Sequence, residues 1–541
     1  MTLLFHQLKN HIRNDPLSDW FSMVNETHDC YQPDDKSTFE IEMESRKESY
    51  TKEFYSFLFK HKEVFFYSDL DADQTKAIIH KKEHCIMINC TLYHQEYDLL
   101  VKPHLIIHRS IFKQIFPLVS CELPEFIVID ILYKIINFSS DKQDILNQDT
   151  IFYHKCKMYV ASQCVNPRYT HGYFFGKEYR HKGITVKKRE HIGIFPFNCQ
   201  MKEKVIHGIK WFKKLQINYE SWLIYPKPSV KELYPNMNIK TGRWFNEKKQ
   251  LAELINEITL VWNISYDKRC VLLEKGIYTW DDPILLHNIY PFQVKESKRE
   301  YIQEKMIHIN SQEELKIQPR RIKNSDFIHH IQTLEDSIVL DIESVLNLDE
   351  KESYFTERLD SEDPPRICII GTILLDNDNI FKDFTIRYLN NTEEKIIIQY
   401  WLTFLFKYFK EKPIKVFHWG NAEKVYLEYM KQKYPDLKYP TFEMIDLVEY
   451  FKKEPITIQG CFGYGLKEIV KQLYSHKLID HQWTDDTDGL EAMIQIMKKS
   501  EDAESKNIPL KRFTEIKKII YYNYMDCKVV SDILMMLQKM I

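Results

Sequence analysis

An apolar run that ends in acids, residues 337–344, is the most informative pattern of the chain. The run predicts a buried strand, and Asp341 and Glu343 would project from one face of it because residues i and i+2 of a strand share a face. Two carboxylates placed side by side on a buried strand are costly to desolvate. A hard divalent ion with oxygen ligands, such as Mg²⁺, would offset that cost. A strand end with two solvated acids is the alternative.

Two later segments combine an apolar pattern with a polar group at a defined place. Residues 414–424 predict a strand, a turn and a helix whose first turn carries Glu423. Glu423 would therefore lie beyond the carboxyl end of a strand, where open α/β sheets place their sites. Farther along, a long helical pattern contains Tyr522 and Asp526. Their spacing of four residues predicts that both side chains face the same side of that helix.

The order of these groups resembles the three exonuclease motifs of the DEDD superfamily, in its tyrosine subclass. These motifs are an Asp-x-Glu on a first strand, an acid after a later strand and a Tyr-x-x-x-Asp on a final helix. The domain is most similar to the ribonuclease H-like domain appended to predicted RecB-type nucleases, which carries a Glu at the second motif, as Glu423 does here. Asp446, Leu447 and residues 465–467 also resemble spacer features of that family. The resemblance implies a 3′–5′ exonuclease that releases nucleoside 5′-monophosphates.

The resemblance also implies a role for each residue of the motifs. Two ions, Mg²⁺ or Mn²⁺, would lie about 4 Å apart between four carboxylates. These carboxylates belong to Asp341, Glu343, Glu423 and Asp526. Tyr522 would orient the attacking water through its phenol, which is protonated at neutral pH and can donate a hydrogen bond. Trp419 would stack on a terminal base or belong to the core, and His418 is expected to be a packed neighbour rather than a ligand.

The N-terminal half alternates helical and strand-like patterns. Helices are predicted at residues 46–61 and 75–80, strands at 85–89, 97–101 and 125–134, a helix around 157–159 and a strand at 172–176. This order resembles the PD-(D/E)XK nuclease core of RecB-type enzymes, in which acids on adjacent strands and a lysine hold and activate a metal-bound water.

The resemblance assigns the acids of that core to Asp98 and Asp130 and places its lysine at position 132, which is a leucine here. Lys134 lies two residues on and would share the face of a regular strand. Glu53 would supply the helix-borne acid, with Glu48 as an alternative. Because the lysine is displaced, a retained fold with a decayed site is expected. A second active nuclease centre and ordinary strand-end aspartates are the alternatives.

The middle of the chain, residues 203–330, predicts helices at 205–212 and 245–261 around a proline-rich loop. Residues 265–280 resemble a small helical module of RecB-type nucleases, in which a helix ends at a Gly-Ile turn before a second helix. Such a module would contact nucleic-acid phosphates through Lys268, Arg269 and Lys275. The alternative is a helix C-cap at Gly276. The basic run at residues 316–323 is interpreted as a linker.

Composition excludes several classes of protein. With 44% hydrophobic and 14% aromatic residues, the 541-residue chain is not disordered and has room for more than one domain. Its 75 basic and 78 acidic residues give a net charge of −3, so any nucleic-acid surface must be a local basic patch. The 11 cysteines form no Cys-x-x-Cys pair. No apolar stretch reaches about 18 residues, the length of a membrane span. A soluble intracellular protein of the cytoplasm or nucleus is predicted.

The sequence therefore predicts an α/β protein in four parts. These are a flexible arm at 1–45, a degenerate PD-(D/E)XK nuclease-like domain at 46–202, a helical middle region and linker at 203–330, and a ribonuclease H-like DEDD exonuclease domain at 331–541. The predicted partner is the 3′ end of DNA or RNA. A catalytically inactive nucleic-acid-binding or assembly protein is the alternative, and convergence of the four acids on one cavity would separate the two. The double architecture and the Ile-, Lys-, Tyr- and Asn-rich composition resemble chains encoded by large DNA viruses.

Overall fold

The computed structural model is a mixed α/β protein whose described residues form two compact units. Among the described residues, the first unit consists of residues 2–36 and 40–255, and the second of residues 37–39, 256–345 and 365–541. The structure describes all residues from 2 to 541 except 61–63, 118, 120–122, 141–143, 148–149, 183, 187–191, 286–297, 313, 346–364, 376–378 and 485–488. No helix within the described ranges is both long enough and apolar enough to cross a membrane.

The first unit contains short strands and helices of up to about six turns. Its helices are α1 (Lys9–Ile12), α2 (Leu17–His28), α3 (Thr38–Leu58), α4 (Ala72–Lys81), α5 (Arg109–Ile115), α6 (Ile151–Val165), α7 (Cys199–Asn218) and α8 (Phe245–Leu254). Its strands are β1 (Leu3–Leu4), β2 (Phe65–Ser68), β3 (Cys85–Ile88), β4 (Leu92–His94), β5 (Leu99–Val101), β6 (Leu105–His108), β7 (Phe126–Phe138), β8 (His171–His181), β9 (Ile184–Val186) and β10 (Gly193–Pro196). The helices and strands predicted in this half are confirmed, with their ends shifted by several residues.

Two separate sheets organise the first unit. The larger has the strand order β10-β8-β7-β6-β3-β2, with β9 paired to β8, and the smaller has the order β1-β5-β4. In the larger sheet β7 pairs antiparallel with β6 and parallel with β8. Residues Phe126 to Tyr133 of β7 are all buried, which explains why their sequence is apolar almost throughout.

The predicted flexible arm is wrong, because residues 2–36 pack into the first unit. Strand β1 pairs in parallel with β5, and the side chains of Leu3, Phe5, Leu8 and Ile12 are buried in the core of the unit. Helix α2 buries Trp20, whose indole N–H donates to the backbone oxygen of Tyr219 at 3.0 Å. The apolar spacing of these residues already follows a helical period, although acidic residues nearby obscure it.

The second unit is built on a sheet covered by helices. Its helices are α9 (Tyr266–Glu274), α10 (Lys298–Asn310), α11 (Ser325–Gln332), α12 (Asn391–Phe409), α13 (Ala422–Lys433), α14 (Leu447–Lys453), α15 (Leu466–Ser475), α16 (Gly489–Lys506) and α17 (Thr514–Gln538). Its strands are β11 (Ile317–Gln318), β12 (Ser337–Val345), β13 (Arg366–Leu374), β14 (Ile380–Thr385), β15 (Ile414–His418), β16 (Phe442–Asp446) and β17 (Thr457–Ile458).

The main sheet of this unit has the order β14-β13-β12-β15-β16. Strands β12, β13 and β14 form an antiparallel meander, as the sequence predicts, and β15 and β16 then add in parallel to β12. The alternation along β12 divides two cores: Ile338 and Leu340 pack on the α12 side, whereas Val339 packs on the side of α17. Asp341 and Glu343 follow Val339 in this alternation.

The predicted middle region does not form a unit of its own. Helices α7 and α8 belong to the first unit, and α9, α10 and α11 belong to the second. The basic run at 316–323 is not a linker in the structure, because β11 pairs with β17 and Ile322 is buried. The predicted helix at 245–261 ends at Leu254, since Asn256 takes a positive φ of 52° that a helix does not allow.

Candidate metal centre

Three acids from two distant parts of the chain meet in the second unit. Strand β12 carries Asp341 and Glu343, and helix α17 carries Asp526. One carboxylate oxygen from each of the three lies within 4.8 Å of the other two. The two acids of β12 therefore point the same way, as their spacing predicts.

Glu423 joins this group from the first turn of α13, directly after β15. It lines a cavity of about 140 Å³ together with Asp341, Tyr522 and Asp526. Its carboxylate is not part of the set within 4.8 Å, but it is buried, and Oε2 has no hydrogen-bond partner among the described residues. A buried carboxylate oxygen without a donor is expensive, so the cavity has room for a group that would satisfy it.

The crowded acids retain protons that exposed acids would lose. Burial, with the charges of Asp446 and Asp526, raises the pKa of Glu423 to about 8. Burial also raises the pKa of Asp526 to about 7. The pKa of Asp341 lies well above its usual range because of burial and because Asp526, Glu343 and Glu423 repel its negative charge. Bound cations would remove this repulsion and favour the ionised carboxylates.

Aromatic side chains and one lysine complete the cavity wall. The indole N–H of Trp483 donates to Oδ1 of Asp526 at 3.0 Å. Burial and the neighbouring acids raise the pKa of Tyr522, whose phenol is therefore a hydrogen-bond donor at neutral pH. The Lys467 ammonium lies 5.4 Å from the ring centre of Tyr522 and 5.9 Å from that of Trp483. Its charge lowers the pKa of Asp526, although burial has the larger, opposite effect.

Asn523 holds Asp341 in place. The Asn523 side chain is fully buried, and its amide donates to Oδ2 and, at 3.2 Å, to the backbone oxygen of Asp341. Gly371, which pairs with Asp341 across β12 and β13, makes room for it: a Cβ at this position would lie 1.8 Å from Oδ1 of Asn523. Helix α17 can therefore approach the sheet closely only because position 371 has no side chain.

Sequence reasoning missed Asn523 and Trp483 and noted Lys467 only as part of a spacer feature. Asn523 carried a usable signal, because a polar residue on the core-facing side of an apolar helix needs a partner. Trp483 carried none, since it lies between helices in a segment without period.

Two neighbours of the site have structural roles, as predicted. Asp446 caps α14: its Oδ1 accepts from the backbone N–H of Val448 at 2.9 Å and from that of Gly420 at 3.0 Å. His418 is buried, and its Nδ1 donates to the backbone oxygen of Gly420 at 2.6 Å. Trp419 lines the cavity, and its indole N–H donates to the backbone oxygen of Tyr464 at 3.1 Å.

The predicted nuclease centre of the first unit does not assemble. Asp130 lies in β7 and is fully buried, but its partners are basic: Nδ1 of His104, Nδ1 of His154 at 2.7 Å and Nζ of Lys157 at 2.8 Å. Burial would raise the pKa of Asp130, but Lys157 and His104 hold it well below its usual range. The charge of this carboxylate is therefore balanced by the protein itself.

Asp98 and Asp130 do not lie on adjacent strands, which corrects the prediction. Asp98 occupies a turn before β5, in the smaller sheet, with a positive φ of 49°, and accepts hydrogen bonds from Thr2 and Tyr93. Lys134 follows an irregularity in β7 between Leu132 and Ile135, so the regular alternation assumed for it fails. Neither Lys134 nor Glu53 is among the hydrogen-bond partners of Asp130.

The helical module favours the C-cap interpretation. Gly276 has a φ of 81°, and the N–H of the buried Ile277 donates to the backbone oxygen of Leu272 at 3.0 Å. Arg269 was predicted to contact nucleic acid, but it is fully buried and pairs with Glu257 at 3.3 Å, so this prediction is wrong. The segment that would follow as a second helix includes residues 286–297, outside the described residues. Contacts through Lys268 and the exposed Lys275 stay predictions.

Comparison with known proteins assigns the chain to no group. No protein-family model matches the chain, and a search of curated proteins finds no match. Function is therefore inferred from the geometry of the site.

Proposed function

We propose that the second unit is a metal-dependent 3′–5′ exonuclease that hydrolyses nucleic-acid phosphodiester bonds. The observation that carries this proposal is the convergence of the predicted residues on one site. Three separate elements supply them: β12, the start of α13 and two turns of α17. Residues from all three line a single cavity, to which the start of α15 also contributes. These residues are distant in the sequence, and what they share is a predicted chemistry. Core packing alone does not explain why they meet in one place.

The carboxylates present fit divalent cations. Asp341, Glu343 and Asp526 have oxygens close enough to share one ion, and Glu423 contributes a buried oxygen without a donor. These four residues would hold the two ions, Mg²⁺ or Mn²⁺. When bound, such ions neutralise charge on the scissile phosphate and activate water at neutral pH.

The remaining side chains of the site orient the acids and the attacking water. The Tyr522 hydroxyl donates a hydrogen bond to the carboxylate of Asp526, one helical turn on, and from there would orient the attacking water. Trp483 fixes the orientation of Asp526 through the indole hydrogen bond. Asn523 does the same for Asp341. Neutral donors therefore orient both acids. Neither of these two hydrogen bonds places a positive charge on the carboxylate.

The convergence also favours an enzyme over the inactive nucleic-acid-binding alternative. A scaffold that had lost its chemistry would have no reason to keep buried acids whose mutual repulsion raises their pKa values. The Asp130 site of the first unit has lost this feature, since basic groups surround its single carboxylate.

The proposal is tested with single-stranded DNA and RNA labelled at either end, incubated with Mn²⁺, Mg²⁺ or EDTA. We expect stepwise shortening from the 3′ end with metal and none in EDTA. Asp526→Asn should lose activity, whereas Asp532→Asn on the same helix, whose carboxylate pairs with His481 and Lys528, should keep it. Equal activity of Asp526→Asn and the wild-type protein, or no metal-dependent shortening of either substrate, would overturn the proposal.

A further inference from the structure

The proposed exonuclease leaves one group of titratable side chains in the first unit unused. This group, the Asp130 cluster, consists of Asp130, His104, His154 and Lys157. The carboxylate is fully buried, whereas the side chains of His104, His154 and Lys157 keep 18%, 16% and 13% of their surface exposed. Asp130 therefore lies beneath three basic groups whose outer edges face solvent.

Asp130 determines where the imidazole protons are. An ionised carboxylate only accepts hydrogen bonds, so each histidine must donate its Nδ1–H to it. The backbone N–H of Ile131, 3.2 Å from Nδ1 of His104, does not alter this assignment. Within the described part of the chain, Nε2 of neither histidine makes a hydrogen bond. Each Nε2 atom therefore keeps an unused lone pair, on a side chain that is 16–18% exposed.

The surroundings of the cluster are positive. His154 and Lys157 are three residues apart on α6 and share one face of it. Lys157 and Lys47 place positive charge close to His154, and the negative charge of Asp130 acts against them. The ammonium groups of Lys157 and Lys47 thus outnumber the single buried carboxylate, so the outer side of the cluster attracts an anion.

We propose that the Asp130 cluster binds one phosphate group without a metal ion. One N–H of the Lys157 ammonium is used on Asp130, which leaves two donors for phosphate oxygens. Burial lowers the pKa of His154, and a bound anion would oppose that effect by favouring the imidazolium form, whose Nε2–H donates to a phosphate oxygen. The phosphate belongs to a nucleic-acid backbone or to free phosphate, which present the same oxygens. This site is independent of the proposed exonuclease.

Carbethoxylation of histidine by diethyl pyrocarbonate tests the site, because the reagent modifies accessible unprotonated imidazole nitrogens and peptide mass spectrometry resolves each histidine. The full-length protein is labelled in EDTA, alone, with inorganic phosphate, or with a single-stranded oligonucleotide. We expect labelling of His104 and His154 to slow about tenfold when the probe is present at about ten times its Kd. The exposed His28 should be labelled at an unchanged rate.

Two variants link the protection to the cluster. Lys157→Met should remove it, whereas Lys76→Met, at an exposed position of α4, should leave it intact. His154→Asn keeps an N–H donor near the position of Nδ1 and lacks Nε2, so Asp130 stays satisfied while the protection of His104 should fall. Melting curves establish that each variant is folded, and His154→Asn serves as the test if Lys157→Met is not.

The source of the phosphate follows from the probes. Protection by the oligonucleotide alone identifies a nucleic-acid backbone, and protection by inorganic phosphate, with or without the oligonucleotide, identifies a site that also accepts free phosphate. Unchanged labelling with both probes overturns the proposal. Protection that persists in a folded Lys157→Met or His154→Asn variant overturns it as well, and the cluster is then an internal ion network.

Discussion

Asp526 is the residue whose catalytic role can best be separated from its contribution to stability. Its carboxylate lines the cavity and accepts hydrogen bonds from Trp483 and Tyr522, and an asparagine oxygen could still accept one of them. In Asp526→Asn we expect an unchanged or slightly higher melting temperature in EDTA, because one of several mutually repelling acids is removed. The rate of 3′-end degradation should fall at least about a thousandfold. A marked loss of stability in EDTA would instead identify Asp526 as a structural residue.

Tyr522 should contribute less than the acids. Tyr522→Phe removes the hydroxyl that orients water and keeps the ring that Lys467 approaches. We expect a fall in kcat of about 10²-fold, the lower end of the range for a single acid–base group, with KM for the oligonucleotide nearly unchanged. Steady-state kinetics with Mn²⁺ measure both constants. An effect confined to KM would assign Tyr522 to substrate binding.

The raised pKa of Glu423 predicts how the stability of the metal-free protein changes with pH. Its ordinary pKa is 4.5, and burial raises it to about 8 in the folded protein. Between these two values the folded state holds a proton that the unfolded state has lost, so the free energy of unfolding falls as pH rises through that window. Without metal, the melting temperature should therefore decrease from about pH 4 to about pH 8.

Glu423→Gln is the control for this effect, since glutamine cannot ionise. The dependence of the melting temperature on pH should become weaker in this variant, and the part that remains belongs to Asp341 and Asp526, whose pKa values are also raised. Saturating Mn²⁺ should reverse the trend in the wild-type protein, because metal binding displaces protons and strengthens as pH rises. A wild-type protein whose metal-free stability increases over the same range would contradict the raised pKa.

At the level of elements, the contact of β13 with α17 holds the centre together. Gly371→Ala would place a methyl group against Asn523, and the buried amide has no free space into which to move. We expect a loss of about 1–3 kcal/mol in the free energy of unfolding, as for other overpacked cores. Activity should fall too, since Asn523 holds Asp341. Chemical denaturation and the 3′-end assay measure the two effects.

Gly489→Ala is the matched control for Gly371→Ala. Gly489 opens α16, and no atom lies within 4 Å of a Cβ built there. This change should be neutral or should stabilise by up to about 1 kcal/mol, because alanine favours a helix. A Gly371→Ala variant as stable as Gly489→Ala would mean that Asn523 adjusts without cost.

The same elements show how far sequence carries the fold. Strand β12 and helix α17 were predictable because the hydrophobic positions of each follow a clear period. The spacing of the site residues also places them on one side of each element. Strand β5 was misjudged because three residues are too few to show an alternation, so Asp98 was assigned to a strand instead of the preceding turn. Trp483 reaches Asp526 through tertiary packing alone, which no local pattern records.

Across the whole molecule, the two units differ in how the charge of a buried acid is compensated. Asp130→Ala should lower the free energy of unfolding of the first unit by about 3–5 kcal/mol, since three basic groups lose their shared carboxylate. The 3′-end activity of the second unit should stay near the wild-type value. Calorimetry and the exonuclease assay on the full chain test both statements.

Asp98→Asn is the comparison for Asp130→Ala, because asparagine tolerates the positive φ of this turn. Its effect on stability should be much smaller than that of Asp130→Ala, since Asp98 lies at the surface and its carboxylate accepts hydrogen bonds from Thr2 and Tyr93 that an asparagine oxygen can also accept. Loss of nuclease activity in a stably folded Asp130→Ala variant would show that the first unit carries a working centre after all.

The placement of Tyr522, Asn523 and Asp526 on α17 has a consequence for biosynthesis. Strand β12 is translated well before α17, and until that helix leaves the ribosome the acids of β12 lack both their anchoring amide and their partner carboxylate. Domains acquire structure in the order in which the ribosome delivers them. The candidate metal centre is therefore incomplete until α17 has emerged, and the proposed nuclease would be inactive up to that point.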